Sequence, residues 1–204
     1  MLHRGVKNIN LTPPTLRVRY TIAMSDAKII IGLGNPGAKY ALTRHNAGHM
    51  LIEYLRAHPL PTRNYQLLQT DCFMNTSGTF VKNILSQNQK LKTENLYVAH
   101  DDLDIPLGKY KISYAKGPKI HNGILSIEDA LGTSDFWRIR IGVDNRDNHI
   151  SDATNSKTPQ PSTANHQPPV PGSGEQYVLG QMTPPEHSIL LDVFGIIHQA
   201  LSSL

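Results

Sequence analysis

The sequence is poor in cysteine and in long apolar runs. Its one cysteine in 204 residues, Cys72, excludes an internal disulfide and a metal site built from cysteines alone, and this scarcity is typical of a reducing compartment. No apolar run approaches the length that spans a bilayer, so we expect no membrane partner. The length suits one well-packed core, and we expect one domain, over 27–204, rather than two.

Acidic residues are absent from the N-terminal segment until Asp26. Residues 1–26 carry four Lys or Arg, are interrupted by Pro13 and Pro14, and sustain no apolar period. This composition resembles an organelle transit segment, and from it we expect a mitochondrial protein. The alternatives are a basic tail without a targeting role, or an untranslated stretch ahead of a start at Met24. A cytoplasmic location therefore stays open.

Large apolar side chains are scarce again between residues 144 and 176, a stretch that contains five prolines. Such a segment buries too little surface to offset the entropy of ordering it. We predict that it is a disordered insertion in a surface loop of the domain.

Acidic residues are also the minority in the whole chain, with 16 Asp and Glu against 20 Lys and Arg and an isoelectric point near 9.2. A basic balance suits a polyanionic partner without proving one. Lys111, Lys116, Lys119 and Arg140 fall on neighbouring predicted segments, where they would form a phosphate-binding rim. The alternative on spacing alone is a solvated charged face.

Apolar periodicity predicts alternating strands and helices, as in an α/β domain. Strands are predicted at 29–31, 65–68, 95–100, 109–114, 136–143 and 177–180. Helices are predicted at 46–57, 78–87, 124–131 and from Pro184 to the C-terminus.

The first strand leads into a glycine-rich turn. Three adjacent isoleucines at 29–31 favour a strand buried on both faces, and the glycines at 32, 34 and 37 allow a tight turn that Pro36 stiffens. This turn holds Asn35 at the sheet edge. Tyr40 and His45 follow, and they bring an aromatic ring and a proton acceptor to the same end of the sheet.

The same glycines match the dinucleotide-binding pattern G-x-G-x-x-G. That pattern requires a helix directly after the third glycine and an acidic residue that ends a second strand about 20 residues later. Here residues 40–45 delay the helix, and Glu53 falls inside a helical pattern. The dinucleotide hypothesis is therefore disfavoured.

Asp101, Asp102 and Asp104 follow the predicted strand at 95–100. They could bind a divalent metal, but no further oxygen ligands occur at a recognisable spacing, so we predict no metal site. We favour one acid oriented toward a histidine, with the others solvated or capping. Polar residues that follow apolar segments or glycines would converge on one end of the sheet as a base, an acid and amides. They are Asn35, His45, Asn75, Asp101, Asn122 and His121.

Six motifs in order, GLGNPGAKYALTRHNAG, FMNTSG, VAHDDLDIPLGK, HNG, FWRIRIGV and YVLG, resemble the bacterial-type peptidyl-tRNA hydrolase family and cover most of Lys28 to Gly180. The resemblance implies a single α/β domain, with a mixed, mainly parallel sheet and helices on both faces. It also implies a monomer that cleaves the ester between a peptide and the 3′ end of tRNA. The family needs no metal or cofactor.

The resemblance implies site residues one by one. His45 would activate the attacking water, Asp101 would hold its imidazole, and Asn35 would lie beside that histidine. Substrate-binding positions of the family fall on Tyr40, Asn46, Met74, Asn75 and Asn122. Its tRNA-binding positions fall on Lys111 and Arg140, with Lys116 and Lys119 as substitutes for a basic position that is Ser113 here.

The chain departs from the family in three places. Residues 59–72 are shorter by about one hairpin, so we expect a smaller sheet; the loop at 116–120 is bulkier than the family's glycine-rich loop; and the insertion after Val143 is long. Two rival functions follow. One is a non-catalytic RNA-binding relative of the intron-splicing type, which a working His45 would exclude, and the other is a nucleotide-dependent oxidoreductase.

Overall fold

The computed structural model describes residues 28–61, 65–87, 91–146 and 174–203. The predicted N-terminal extension, and residues 147–173 of the predicted insertion, lie outside the described residues. No helix in the described ranges is long and apolar enough to cross a membrane.

The described residues form a five-stranded sheet. Its strands are β1 (Lys28–Gly32), β2 (Tyr65–Gln69), β3 (Leu96–Pro106), β4 (Tyr110–Tyr114) and β5 (Trp137–Asp144), in the order β2-β1-β3-β5-β4. β2, β1, β3 and β5 are parallel, and β4 pairs antiparallel with β5. The shortened segment at 59–72 contributes β2 at one edge. The predicted mixed, mainly parallel sheet is confirmed.

Helices cover both faces, as predicted. They are α1 (Ala47–Ala57), α2 (Ser77–Gln87), α3 (Asn122–Leu131), α4 (Gly174–Val178) and α5 (Pro184–Ser202). Because alternate side chains of a strand point to opposite faces, β1 serves two cores. Ile30 packs in the cluster with α1 and α5, whereas Ile29 and Ile31 pack in the cluster with α2 and α3.

The start of α1 lies unusually close to the sheet. A Cβ added to Gly32 would overlap the carbonyl oxygen of Gly48, and one added to Gly48 would overlap that of Ala99. Only glycine permits this approach of backbone to backbone. It fixes the residues that precede α1 above the carboxyl ends of β1 and β3.

Two sequence predictions about strands were wrong. β3 does not end at His100 but continues to Pro106, because Asp101 and Asp102 pair with Ile141 and Gly142 of β5. The stretch 177–180 is not a strand. It contains the end of α4 and a turn in which the amide of Leu179 donates to the carbonyl of Glu175. A four-residue apolar run does not distinguish a buried helix from a strand.

Tyr177 joins the two sides of the stretch 147–173. Its hydroxyl donates to the carbonyl of Val143 at 3.1 Å and accepts from the amide of Asn145 at 3.0 Å. The end of β5 and helix α4 are thereby held together by one phenol.

Candidate active site

Two histidines share one carboxylate oxygen at the carboxyl ends of the parallel strands. Nδ1 of His45, in the turn before α1, lies 2.8 Å from Oδ1 of Asp101 in β3. Nε2 of His121, the residue before α3, lies 3.0 Å from the same oxygen. All three side chains are buried. The predicted pairing of a histidine with one of the acids is observed in this geometry.

The hydrogen bonds of His121 define its tautomer. Its Nδ1 accepts from the amides of Gly123 at 3.2 Å and Ile124 at 3.3 Å, as the N-cap of α3. An accepting nitrogen carries no proton, so the proton of the neutral ring is on Nε2 and is donated to Asp101. The same carboxylate oxygen also faces Nδ1 of His45. If that nitrogen donates as well, Nε2 of His45 is left unprotonated.

The pKa values agree with this arrangement. Burial alone would raise the pKa of Asp101, but the two histidines hold it well below its usual value, so the carboxylate is ionised. Burial lowers the pKa of His45, and Asp101 and, more weakly, Glu175 raise it; the net pKa is above 6.5.

His100 is a buried neighbour that the sequence analysis did not single out. Its Nδ1 lies 2.6 Å from the carbonyl of Asp101, and its ring meets the His121 ring edge-on at 4.8 Å. Burial lowers its pKa well below 6.5, so this histidine is neutral. Its position next to Asp101 in the VAHDD motif could have identified it as a residue near the site.

Asn35 and Asn46 form a reciprocal pair that holds the glycine-rich turn. The amide of Asn35 donates to Oδ1 of Asn46 at 2.8 Å, and Nδ2 of Asn46 donates to the carbonyl of Asn35 at 3.0 Å. Oδ1 of Asn35 accepts from the amide of Met74 at 2.9 Å. Asn35 therefore reaches His45 through Asn46, the next residue in the chain, and links the turn to Met74.

The remaining predicted substrate residues are divided between a buried contact and the protein surface. Met74 is buried against Gly123, since a Cβ on that glycine would meet its sulfur at 2.5 Å. Asn75 and Asn122, the neighbours of this contact, are exposed. Tyr40 stacks edge-on with Phe73 at 6.3 Å, and Phe73 is 54% exposed. Sequence analysis missed Phe73, although FMNTSG contains it.

A cavity of about 410 Å³ opens beside His45. Apolar side chains of Leu103, Ile120 and Val178 line it, together with polar groups that include Asn122, Lys119 and Glu175. A larger groove of about 640 Å³ runs between α1 and α5, but neither His45 nor Asp101 lines it. We therefore assign the chemistry to the smaller cavity.

The basic residues differ in how exposed they are. Lys111, Lys116 and Lys119 are exposed, and Lys111 lies opposite Arg140 across β4 and β5. Arg140 is buried beneath Gly117, whose φ of 68° and lack of a side chain leave room for the guanidinium. Its Nε donates to Asp102 at 2.6 Å. Of the four residues predicted to bind tRNA, three are thus exposed lysines and one is a buried, paired arginine.

The other two acids of the HDDLD motif have separate partners. Asp102 was expected to be solvated or capping; it is buried and paired with Arg140, and its Oδ1 accepts from the backbone amide of Asp104 at 2.8 Å. Asp104 accepts from the amide of Lys119 at 3.2 Å, and the ammonium of Lys119 lies 3.7 Å from its other oxygen. Each of them ties the loop before His121 to β3, directly or through Arg140.

Arg44, beside His45, makes an ion pair that the sequence did not predict. Its Nη2 donates to both carboxylate oxygens of Glu186 in α5, at 2.7 and 2.8 Å. Its Nη1 donates to the carbonyls of Tyr177 and Gln181, and the guanidinium stacks on the Tyr177 ring at 4.3 Å. The residue before His45 is thus fixed to α4 and α5.

Comparisons with known proteins agree on one family. A family model described as peptidyl-tRNA hydrolase matches residues 29–157. A peptidyl-tRNA hydrolase of Lawsonia intracellularis is 35% identical over 197 residues, which cover 88% of this chain and 87% of that protein. One of Thermodesulfovibrio yellowstonii is 40% identical over 132 residues, 56% of this chain and 71% of that protein.

The fold also has solved counterparts. A crystal structure of a mutant peptidyl-tRNA hydrolase from Acinetobacter baumannii superposes with a TM-score of 0.62 at 24% identity and covers 89% of this chain and 90% of that chain. The alternative of a non-catalytic splicing relative gains no support from these matches.

Proposed function

Since this chain belongs to the peptidyl-tRNA hydrolase family and is an enzyme that hydrolyses the ester of peptidyl-tRNA, we propose that His45 is the general base of that reaction. The observation that carries the proposal is the shared oxygen of Asp101. It accepts from Nε2 of His121 and lies 2.8 Å from Nδ1 of His45. Nε2 of His45 is then free to accept a proton from water.

The reaction proceeds in two steps. Nε2 of His45 removes a proton from water as the water oxygen attacks the ester carbonyl carbon. The resulting tetrahedral intermediate breaks its bond to the ribose oxygen, which takes the proton back from His45. The exposed amides of Asn75 and of Asn122, the latter lining the cavity beside His45, are available to bind the developing oxyanion.

His121 is a positioning residue in this proposal. As the acceptor for two amides of α3, its Nδ1 keeps the proton on Nε2, and this proton fixes one side of the Asp101 carboxylate. A metal ion at His45, Asp101 and His121 would need a lone pair on that Nε2. The tautomer denies it one, which favours chemistry without a metal.

The two sides of His45 suit different parts of the substrate. The cavity of Leu103, Val178 and Lys119 adjoins the loop that bears Lys116, so we place the tRNA end there. The peptide then extends past Asn75 toward the aromatic pair of Tyr40 and Phe73. Arg140 would support the rim by holding its loop, and Lys111 would contact phosphate.

Two further proposals concern the protein as a whole. The basic, acid-free composition of residues 1–26 supports a mitochondrial location, which fusion of that segment to a fluorescent protein would test. We also propose a monomer, as the family resemblance implies, and light scattering on the purified chain would measure its mass.

Substitution of His45 tests the central proposal. His45→Ala should lower the rate of ester cleavage by roughly a hundred- to ten-thousand-fold, as expected for loss of a positioned base. Affinity for a non-hydrolysable peptidyl-tRNA mimic should change little, because Asn75, Asn122 and the lysines remain. His58→Ala, at an exposed histidine at the end of α1, is the matched control. Equal cleavage by wild type and His45→Ala would refute the assignment.

A further inference from the structure

The cavity beside His45 contains one carboxylate that makes no hydrogen bond or ion pair with the described residues. We propose that this group, on Glu175, recognises the base at the 3′ end of tRNA by accepting a hydrogen bond from its exocyclic amino group. The inference rests on the proposed placement of the tRNA end in this cavity.

The other carboxylates of the cavity are already engaged. Asp101 faces two histidines, Asp102 pairs with Arg140, and Asp104 holds Lys119. Glu175 is exposed, lines the same cavity, and makes no side-chain hydrogen bond or ion pair with the residues that the structure describes. Its acceptor capacity is therefore available to a substrate.

The backbone that bears Glu175 is well anchored. Its carbonyl accepts from the amide of Leu179, and two residues later Tyr177 is fixed by Val143 and by the stacked guanidinium of Arg44. An anchored backbone lowers the entropy that the Glu175 side chain loses when it binds a substrate. Glu175 is therefore placed to act as a specificity-determining residue.

The chemistry of the substrate end favours the base over the alternatives. A carboxylate repels phosphate, so Glu175 does not contact the backbone of the tRNA. The ribose must lie against His45, because it carries the ester, and the base extends further into the cavity. There Leu103 and Val178 offer apolar surface for a flat ring, and single-stranded bases are read at their edges in such settings. The terminal base of tRNA is adenine, whose exocyclic amino group is a donor.

The test compares two substrates and three proteins. RNA minihelices that end in adenosine or in inosine, which replaces the amino group by a carbonyl, carry the same N-acetylated amino acid. Wild type should prefer adenosine in kcat/KM by roughly ten- to a hundredfold, the range for a hydrogen bond to a charged group. In Glu175→Gln this preference should fall to roughly threefold or less, because an amide can also donate to the inosine carbonyl.

Glu94→Gln is the control, since it removes the same charge from an exposed residue before the amino end of β3. It should keep the wild-type preference. No preference in wild type, or an unchanged preference in Glu175→Gln, would overturn base recognition while leaving the role of His45 intact. Loss of cleavage of both substrates by a folded Glu175→Gln would also overturn it, because Glu175 would then act in the chemistry. Failure of the general base would show instead as an active His45→Ala.

Discussion

Removal of the Glu186 side chain should destabilise the protein strongly. Glu186 lies 142 residues from Arg44 in the sequence, and its carboxylate accepts hydrogen bonds from that guanidinium. Only 6% of the Arg44 side chain and 3% of the Glu186 side chain are exposed. Burial raises the pKa of Glu186, but Thr183 and Arg44 lower it below its usual value, so the carboxylate is charged. Glu186→Ala would leave a buried guanidinium without its counter-charge.

The size of the effect follows from two losses. Removal of one partner of a buried ion pair costs about 3–5 kcal/mol. Glu186 also closes a capping box at the start of α5, where it accepts from the amide of Thr183 at 2.7 Å. The carbonyls of Tyr177 and Gln181 still accept from Arg44, which limits the penalty. We expect a net loss of about 4 kcal/mol, or roughly 8–16 °C in Tm for a domain of this size.

Thermal and urea unfolding, followed by circular dichroism, measure this loss. The double variant Arg44→Met with Glu186→Leu should be more stable than Glu186→Ala, because apolar side chains often replace a buried ion pair at little cost. A loss below about 1 kcal/mol in Glu186→Ala would refute the reasoning, since it would mean that the guanidinium is solvated without its partner.

Three other predictions concern pH and salt. Asp101→Asn removes the charge that raises the pKa of His45, so the acid limb of the kcat/KM profile should move to lower pH. The value of kcat should fall by less than in His45→Ala. If the acid limb did not move, it would report a group other than His45. Burial lowers the pKa of His49 from 6.5 to about 4, so between these two pH values the unfolded state binds more protons than the native state. The free energy of unfolding should therefore fall by about 2–3 kcal/mol from pH 6.5 to pH 4.5. Urea titrations should show this slope, and His49→Gln should flatten it. Lys111→Ala with Lys116→Ala should weaken tRNA binding and reduce the slope of log K against log salt by about 1.5, whereas Lys82→Ala with Lys92→Ala, also exposed, should change neither.

The fold was predictable where local patterns decide it. The isoleucines of β1, the apolar period of α1 and the prolines that open α5 each specify one element without help from the rest of the chain. The end of β3 was not predictable, because the length of this strand depends on its register with β5 and not on its own residues. The predicted strand at residues 177–180 was wrong for a similar reason, because tertiary packing decides between helix and strand for so short an apolar run.

The sequence indicated that His45 and Asp101 would lie together, but it did not indicate how the residues around them are connected. His45 and Asp101 were identified from motifs, and they lie within hydrogen-bond distance. The tautomer of His121 depends on the amides of α3, and the pairing of Arg44 depends on a helix near the C-terminus, so neither leaves a signal near it in the sequence. The sequence shows the positive charge of Arg140, but the burial of its guanidinium beneath Gly117 is visible only in the structure.

The phenol of Tyr177 makes residues 147–173 a natural place to lengthen the chain. Because its hydroxyl joins Val143 and Asn145 to α4, the two points that any inserted sequence must connect are already held together. Doubling the length of a chain between fixed points costs only about 0.6 kcal/mol. A fluorescent reporter or affinity tag grafted there should therefore leave an enzyme that still folds and turns over.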